Sequence, residues 1–164
     1  MSVMDIRHLS VFKADEFNEN GGSVTVVGAG SVGSFMISQL ANLGVKEIIV
    51  YDFDEVEAQN LANQHFRVED IGKKKVDAIA EQVKLETGIE ITAISDKVTE
   101  DTMINSTYVF LAVDSMEARK MIAQSLFFNT YTLGVIESRM DVELLYTYTF
   151  NPQKTEHQTA WLAD

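Results

Sequence analysis

No cysteine occurs anywhere in the chain. It therefore has neither a disulfide framework nor a thiolate metal site, and thiol catalysis by these residues is excluded. Basic residues are scarce as well: 13 Lys and Arg stand against 25 Asp and Glu, a formal charge of -12. Neutralising a phosphate backbone needs surplus Lys and Arg, so nucleic acid is set aside as the main partner. No apolar run approaches the roughly 18 residues of a membrane span. The opening MSVMDIRHLS has no charged flank followed by an apolar core, so no leader is read there. No membrane partner and a cytoplasmic location are the expectations. Proline is nearly absent; the single one, Pro152, opens a polar tail over residues 151–164 in which no strong element is predicted.

What is present is a core-forming chain of 164 residues with 46% hydrophobic content. That is enough for one domain able to fold alone, preceded by an N-terminal arm over residues 1–22. Apolar runs of strand length alternate with helical patterns, the order that builds βαβ units. The fold class is α/β, Rossmann-like, with a mostly parallel sheet and helices on both faces. Strands are predicted at residues 23–29, 47–52, 90–95, 108–113, 132–136 and 143–150. The first five read as strands covered on both faces. The last alternates Leu145, Tyr146, Thr147, Tyr148 and reads as an antiparallel or edge strand. Helices are predicted at residues 31–43, ending at Gly44, at 72–86, with Val76, Ile79, Ala80 and Val83 on one face, and at 115–128. In the third, Met116, Met121, Ile122, Leu126 and Phe127 are read as core.

The segment GAGSVG, with Gly28, Gly30 and Gly33, follows a strand and opens a helix. Glycines there permit a tight turn and let phosphate approach backbone N–H groups at the positive helix end. Asp52 closes the second strand, where a carboxylate accepts the hydroxyls of a ribose; a solvated strand-end acid is the plainer alternative. Lys73, Lys74 and Lys75 directly follow Gly72. They are predicted in the first turn of their helix, where the macrodipole disfavours cations. A polyphosphate ligand accounts for them; a solvated basic face is the alternative. Asp114 follows the apolar strand YVFLAV and is placed to hold Mg²⁺, which uses one or two carboxylates plus substrate phosphates. Asp114 and Glu117 also have capping-box spacing, so a structural N-cap is the competing reading.

Taken in order, GAGSVG, DFDEVEAQNLANQ, IGKKKV and AVDSMEAR resemble the successive motifs of the ThiF/MoeB family, the adenylating superfamily that includes ubiquitin-activating enzymes. The similarity runs from about residue 24 to residue 140. The resemblance implies that Asp52 binds the ATP ribose, that Asp54, Val56 and Asn60 wall the nucleotide site together with Gln64, that Lys75 contacts phosphate, and that Asp114 binds the catalytic Mg²⁺. Arg119, after that aspartate, is expected to order the site. The family often has an arginine where NLANQ has Asn63, which inherits the catalytic position; Arg67 and Arg139 are the candidates to replace the missing cation. Asn63, the RHLSVF opening and the segment ESRMDVELLYTYTFNP also resemble a shorter bacterial and mobile-element branch of the family.

The reaction implied is ATP-dependent adenylation of a carboxylate, most typically the C-terminus of a ubiquitin-like or sulfur-carrier protein, by a homodimer. The CxxC pairs of larger relatives are missing. Relatives continue past the last strand, so the end at Asp164 reads as a truncated chain. Two other classes stay open: an NAD-dependent oxidoreductase, weakened by Lys73 to Lys75, and a non-catalytic nucleotide-binding partner protein, kept open by Asn63.

Overall fold

In the computed structural model, residues 12–140 and 144–163 are described. Most of the RHLSVF opening and three residues of the ESRMDVELLYTYTFNP segment lie outside them. Six strands form one sheet: β1 (Ser23–Val27), β2 (Glu47–Tyr51), β3 (Thr92–Ile94), β4 (Tyr108–Leu111), β5 (Gly134–Met140) and β6 (Leu145–Phe150). Their spatial order is β3-β2-β1-β4-β5-β6. All neighbours are parallel except β5 and β6, so the expected antiparallel edge strand is found. The order reverses between β1 and β4, the switch point at which open α/β sheets leave a crevice.

The α-helices among the described residues are α1 (Ala14–Glu19), α2 (Gly33–Asn42), α3 (Lys75–Thr87), α4 (Met116–Leu126) and α5 (Thr155–Leu162). Alternate strand residues feed two separate cores, because successive side chains point to opposite faces of a sheet. Val24, Val26, Ile48 and Val50 meet Ile37 of α2 and Val76, Ile79 and Val83 of α3 on one face. Val27, Val109, Leu111 and Val135 meet Ile122 and Leu126 of α4 and Trp161 of α5 on the other. Helices therefore cover both faces.

Four expectations are corrected. The tail is not featureless: α5 packs there, with Trp161 buried against Phe150 at a ring distance of 5.3 Å. Strand β3 is an edge strand with no buried residue, because among the described residues no further strand pairs beyond it. Lys73 and Lys74 are not in the first turn, since α3 begins at Lys75; the backbone before it is occupied by a bridge between Glu55 and Lys74. Met116 is exposed at the start of α4, whereas Ile122 and Leu126 are buried. Gly44 does take the left-handed conformation, with φ +90°, just after α2, where the lack of a Cβ removes the steric cost.

Candidate nucleotide site

Strand register assembles the site. Ile94, Tyr51, Val27, Leu111 and Glu137 pair in one row across the sheet. The residues just past that row therefore emerge together at the carboxyl edge. They line a cleft of about 740 Å³ that includes Gly28, Gly30, Asp52, Asp54, Gln64, Lys75 and Asp114. Gly33, Asn60 and Asn63 do not line it.

The glycine turn is fixed by close packing. Gly28 has φ +98°, and a Cβ there would stand 2.6 Å from the Ala112 carbonyl oxygen. A Cβ on Gly33 would fall 1.8 Å from the Gly28 carbonyl oxygen, so α2 can start only where it does with glycine at this point. At Gly30, by contrast, an added Cβ would meet no protein atom within 4 Å. The space over the middle of the turn is free for a ligand to approach the backbone.

Asp52 is buried, and its carboxylate is aimed by the main chain: Ala29 N–H donates to Oδ2 at 2.6 Å and Asp54 N–H to Oδ1 at 2.8 Å. Each oxygen keeps capacity for a further donor such as a hydroxyl. Lys75, only 7% exposed, sends its ammonium to Asp54 at 2.9 Å. Neither of the other two lysines lines the cleft, although Lys74 donates to the carbonyl of the lining residue Phe53 at 3.4 Å. Lys73 pairs with Glu81 at 2.7 Å and Asp70 at 3.2 Å, and the hydrogen bonds to Glu81 first and Asp70 second raise its pKa. Lys74 pairs with Glu55 at 3.2 Å. Asn60 serves the turn that carries it, accepting the Glu57 N–H at 2.8 Å. Asn63 is exposed. Within the cleft wall, Gln64 has its Oε1 buried without a hydrogen-bond partner, a state a ligand donor would relieve.

Asp114 is exposed, and the capping role belongs to its neighbour: Ser115 Oγ accepts the Ala118 N–H at 3.2 Å and donates to Glu117 at 3.0 Å. Glu117's pKa is lowered, chiefly by a hydrogen bond from its own backbone and next by that of Ser115. The Asp114 carboxylate is thus not consumed by α4. Arg119 is buried and committed: its guanidinium reaches Glu137 Oε1 at 3.0 Å and the Ser138 carbonyl at 2.8 Å, and it also donates to the Val113 carbonyl. Arg67 pairs with Glu69 and Glu86, and Arg139 with Glu137, its guanidinium lying 4.3 Å from the Tyr148 ring centre. Neither lines the cleft.

Three further lining residues went unread in the sequence. Lys97 stands 5.9 Å over the Phe53 ring, and both line the cleft beside Asp96. Their signal was positional: Phe53 follows the Asp52 strand end, and Asp96–Lys97 follows β3 at the same carboxyl edge.

Among the described residues the lining includes the carboxylates Asp52, Asp54, Asp96, Asp114 and Glu117 but only Lys75, Lys97 and Arg119 as cations. A polyanion entering such a cleft needs an additional positive charge. Among the described residues no group of three or more His, Asp or Glu could hold a metal by itself. A lone Asp114 carboxylate that shares an ion with substrate phosphates fits the way Mg²⁺ is bound.

Residues 13–157 match the ThiF family. The chain belongs to that family. Within the ThiF family it is 36% identical over 105 residues to the NEDD8-activating enzyme E1 catalytic subunit of Arabidopsis thaliana, a match covering 60% of this chain and 23% of that protein. It is 34% identical over 131 residues to the Dictyostelium discoideum protein of the same name, covering 76% and 28%. It is 30% identical over 103 residues to the tRNA threonylcarbamoyladenosine dehydratase of Escherichia coli, covering 58% and 38%. The chain thus spans between 23% and 38% of these relatives' length.

Among solved structures, PaaA superposes with a TM-score of 0.71 at 22% identity, over 82% of this chain and 43% of that one. The E. coli dehydratase TcdA in complex with ATP superposes with a TM-score of 0.65 at 24% identity, over 73% and 54%. At such identities the likeness concerns the fold. No helix among the described residues is long and apolar enough to cross a membrane.

Proposed function

We propose that this chain binds Mg-ATP in the β1/β4 crevice and adenylates a carboxylate. The observation that carries the reading is the convergence, in one cleft, of the open glycine turn, the backbone-aimed Asp52, the buried Lys75 and the uncommitted Asp114. Asp52 accepts ribose hydroxyls, the turn and Gln64 face the phosphates, and Lys75 moves part of its charge from Asp54 to the triphosphate. Asp114 would hold Mg²⁺, which supplies the positive charge that the acidic lining lacks.

In the reaction a substrate carboxylate oxygen attacks the α-phosphorus. The bond from that phosphorus to the bridging oxygen breaks and pyrophosphate leaves, with no net proton transfer. Positioning and cationic stabilisation of the phosphates supply most of the rate. The substrate is the C-terminal carboxylate of a ubiquitin-like or sulfur-carrier protein, in line with the names of the activating-enzyme relatives, and the enzyme acts as a homodimer. A tRNA substrate, as the dehydratase name indicates for that relative, is disfavoured here by the charge of -12. With no cysteine in the 164 residues, the acyl-adenylate stays non-covalently bound to these residues until an external nucleophile, or a cysteine on a further segment or partner, takes the acyl group.

ATP–pyrophosphate exchange in the presence of candidate carboxylate proteins tests the reaction, and exchange with one of them is the expected result. One observation favours a second reading, a nucleotide-binding partner without chemistry: Arg119 is the only arginine lining the cleft among the described residues, and it is committed to Glu137 and carbonyls. Tight Mg-ATP binding with no exchange for any carboxylate would establish that second reading.

A further inference from the structure

The buried Glu137 lies outside every motif that identifies the nucleotide site, yet it stands in the row of residues that ends at the cleft. Its side chain is fully buried and receives three side chains from three elements. Trp161 Nε1–H of α5 donates to Oε2 at 2.5 Å, Arg119 of α4 donates to Oε1 at 3.0 Å, and Arg139 of β5 donates to Oε1 at 2.6 Å. A buried carboxylate with two guanidiniums and an indole is costly to assemble and restrictive once formed.

What it restricts is the guanidinium of Arg119. That group also donates to the carbonyls of Leu111, at 3.5 Å, of Val113, and of Ser138, at 2.8 Å. The Val113 carbonyl and the Asp114 nitrogen share one rigid peptide plane, so fixing the first aims the backbone from which the Asp114 carboxylate projects. Ser138 lies on the cleft wall.

We infer that Trp161 and Glu137 are positioning residues of the metal-nucleotide site: docking of the C-terminal helix α5, through Trp161–Glu137–Arg119, sets the place of Asp114. This rests on the Mg-ATP reading of the cleft. Outer partners of a metal ligand commonly change metal affinity by roughly 10- to 100-fold when removed.

The chain supplies its own reporter, since Trp161 is its one tryptophan and does not line the cleft. A change in its emission on adding Mg-ATP therefore reports transmission, not contact. The experiment titrates the 164-residue chain with Mg-ATP and separately with AMP, following tryptophan emission and binding heat. It repeats the calorimetry with Trp161→Phe, which keeps an aromatic ring against Phe150 but lacks the N–H donor, and with Glu137→Gln. Emission is expected to change with Mg-ATP and saturate at the calorimetric Kd. Both variants are expected to weaken Mg-ATP about tenfold and to leave AMP, which lacks the polyphosphate, unchanged.

An emission that does not move while Mg-ATP binds overturns the inference without any variant having to fold. So does equal Mg-ATP affinity in folded Trp161→Phe, or an equal loss for Mg-ATP and AMP. Failure of the unaltered chain to bind Mg-ATP at all would instead overturn the nucleotide reading, and this inference with it.

Discussion

The two halves of the molecule hold their functional groups by different means. In the β1–β2 half, Asp52 is aimed by main-chain N–H groups and Gly28 by contact with backbone, over a core of Val, Ile and Ala side chains. In the β4–β5 half, Asp114 projects from a loop whose carbonyl is held by Arg119, and Arg119 is held by Glu137 inside the second core. The first half is preorganised by backbone geometry, which few side-chain changes can disturb. The second depends on a buried side-chain network, so changes far from the cleft reach it.

The largest expected effects fall on that contrast. Glu137→Ala leaves the buried Arg119 without its carboxylate and should cost about 3–5 kcal/mol of stability. Ile79→Ala, in the apolar half, should cost about 2–5 kcal/mol. Urea unfolding measures both. A loss for Glu137→Ala of under about 1 kcal/mol would remove the contrast, because an intact buried ion pair cannot be that dispensable. Next, Lys75→Ala should lower ATP–pyrophosphate exchange by about 10²–10³-fold, the range for deleting one charge-stabilising donor. Lys73→Ala and Lys74→Ala, which do not line the cleft, should stay near the unaltered rate; equal losses at all three would mean a diffuse electrostatic patch.

Asp52→Ala should weaken ATP by roughly 1–3 kcal/mol in calorimetry, and an unchanged affinity would make Asp52 a bystander. The smallest effect is at Ser115. Its replacement by Ala removes the α4 N-cap, worth about 1 kcal/mol, and one of the hydrogen bonds that depress the Glu117 pKa. Because the folded-state pKa of Glu117 lies below its ordinary value, its contribution is present above that ordinary value and is lost as pH falls through the folded one. Stability measured against pH should show the Ser115→Ala deficit narrowing in acid; a widening deficit would contradict the assignment.

Much of this was readable in the sequence, for physical reasons that differ by element. Strands β1, β2 and β4 are short apolar runs, and glycines spaced as a tight turn between β1 and a helix mark where a sheet edge opens to a ligand, so the fold and the cleft's position were legible. The exit residues of β3 were missed because Asp96 and Lys97 carry no motif, only a position at the sheet's carboxyl edge. Helix α5 was unreadable because it buries a single side chain, Trp161, and so lacks the apolar periodicity that marks a helix. The extension of β5 through Glu137 to Met140 was hidden because ESR looks like a loop; only the Arg119, Arg139 and Trp161 partners make a buried glutamate tolerable there. Asn63 was read as a site residue through resemblance alone, and the chain places it on the surface outside the cleft.

The central claim, that this crevice is a Mg-ATP site, is tested most directly by comparing Mg-ATP with NAD as ligands of the unaltered chain in calorimetry and thermal unfolding. A ligand that binds the native cleft and not the unfolded chain must raise Tm, the more so the further its concentration exceeds its Kd. Saturable Mg-ATP binding with a raised Tm, and no effect of NAD, is the expected result; a larger shift with NAD would contradict the account.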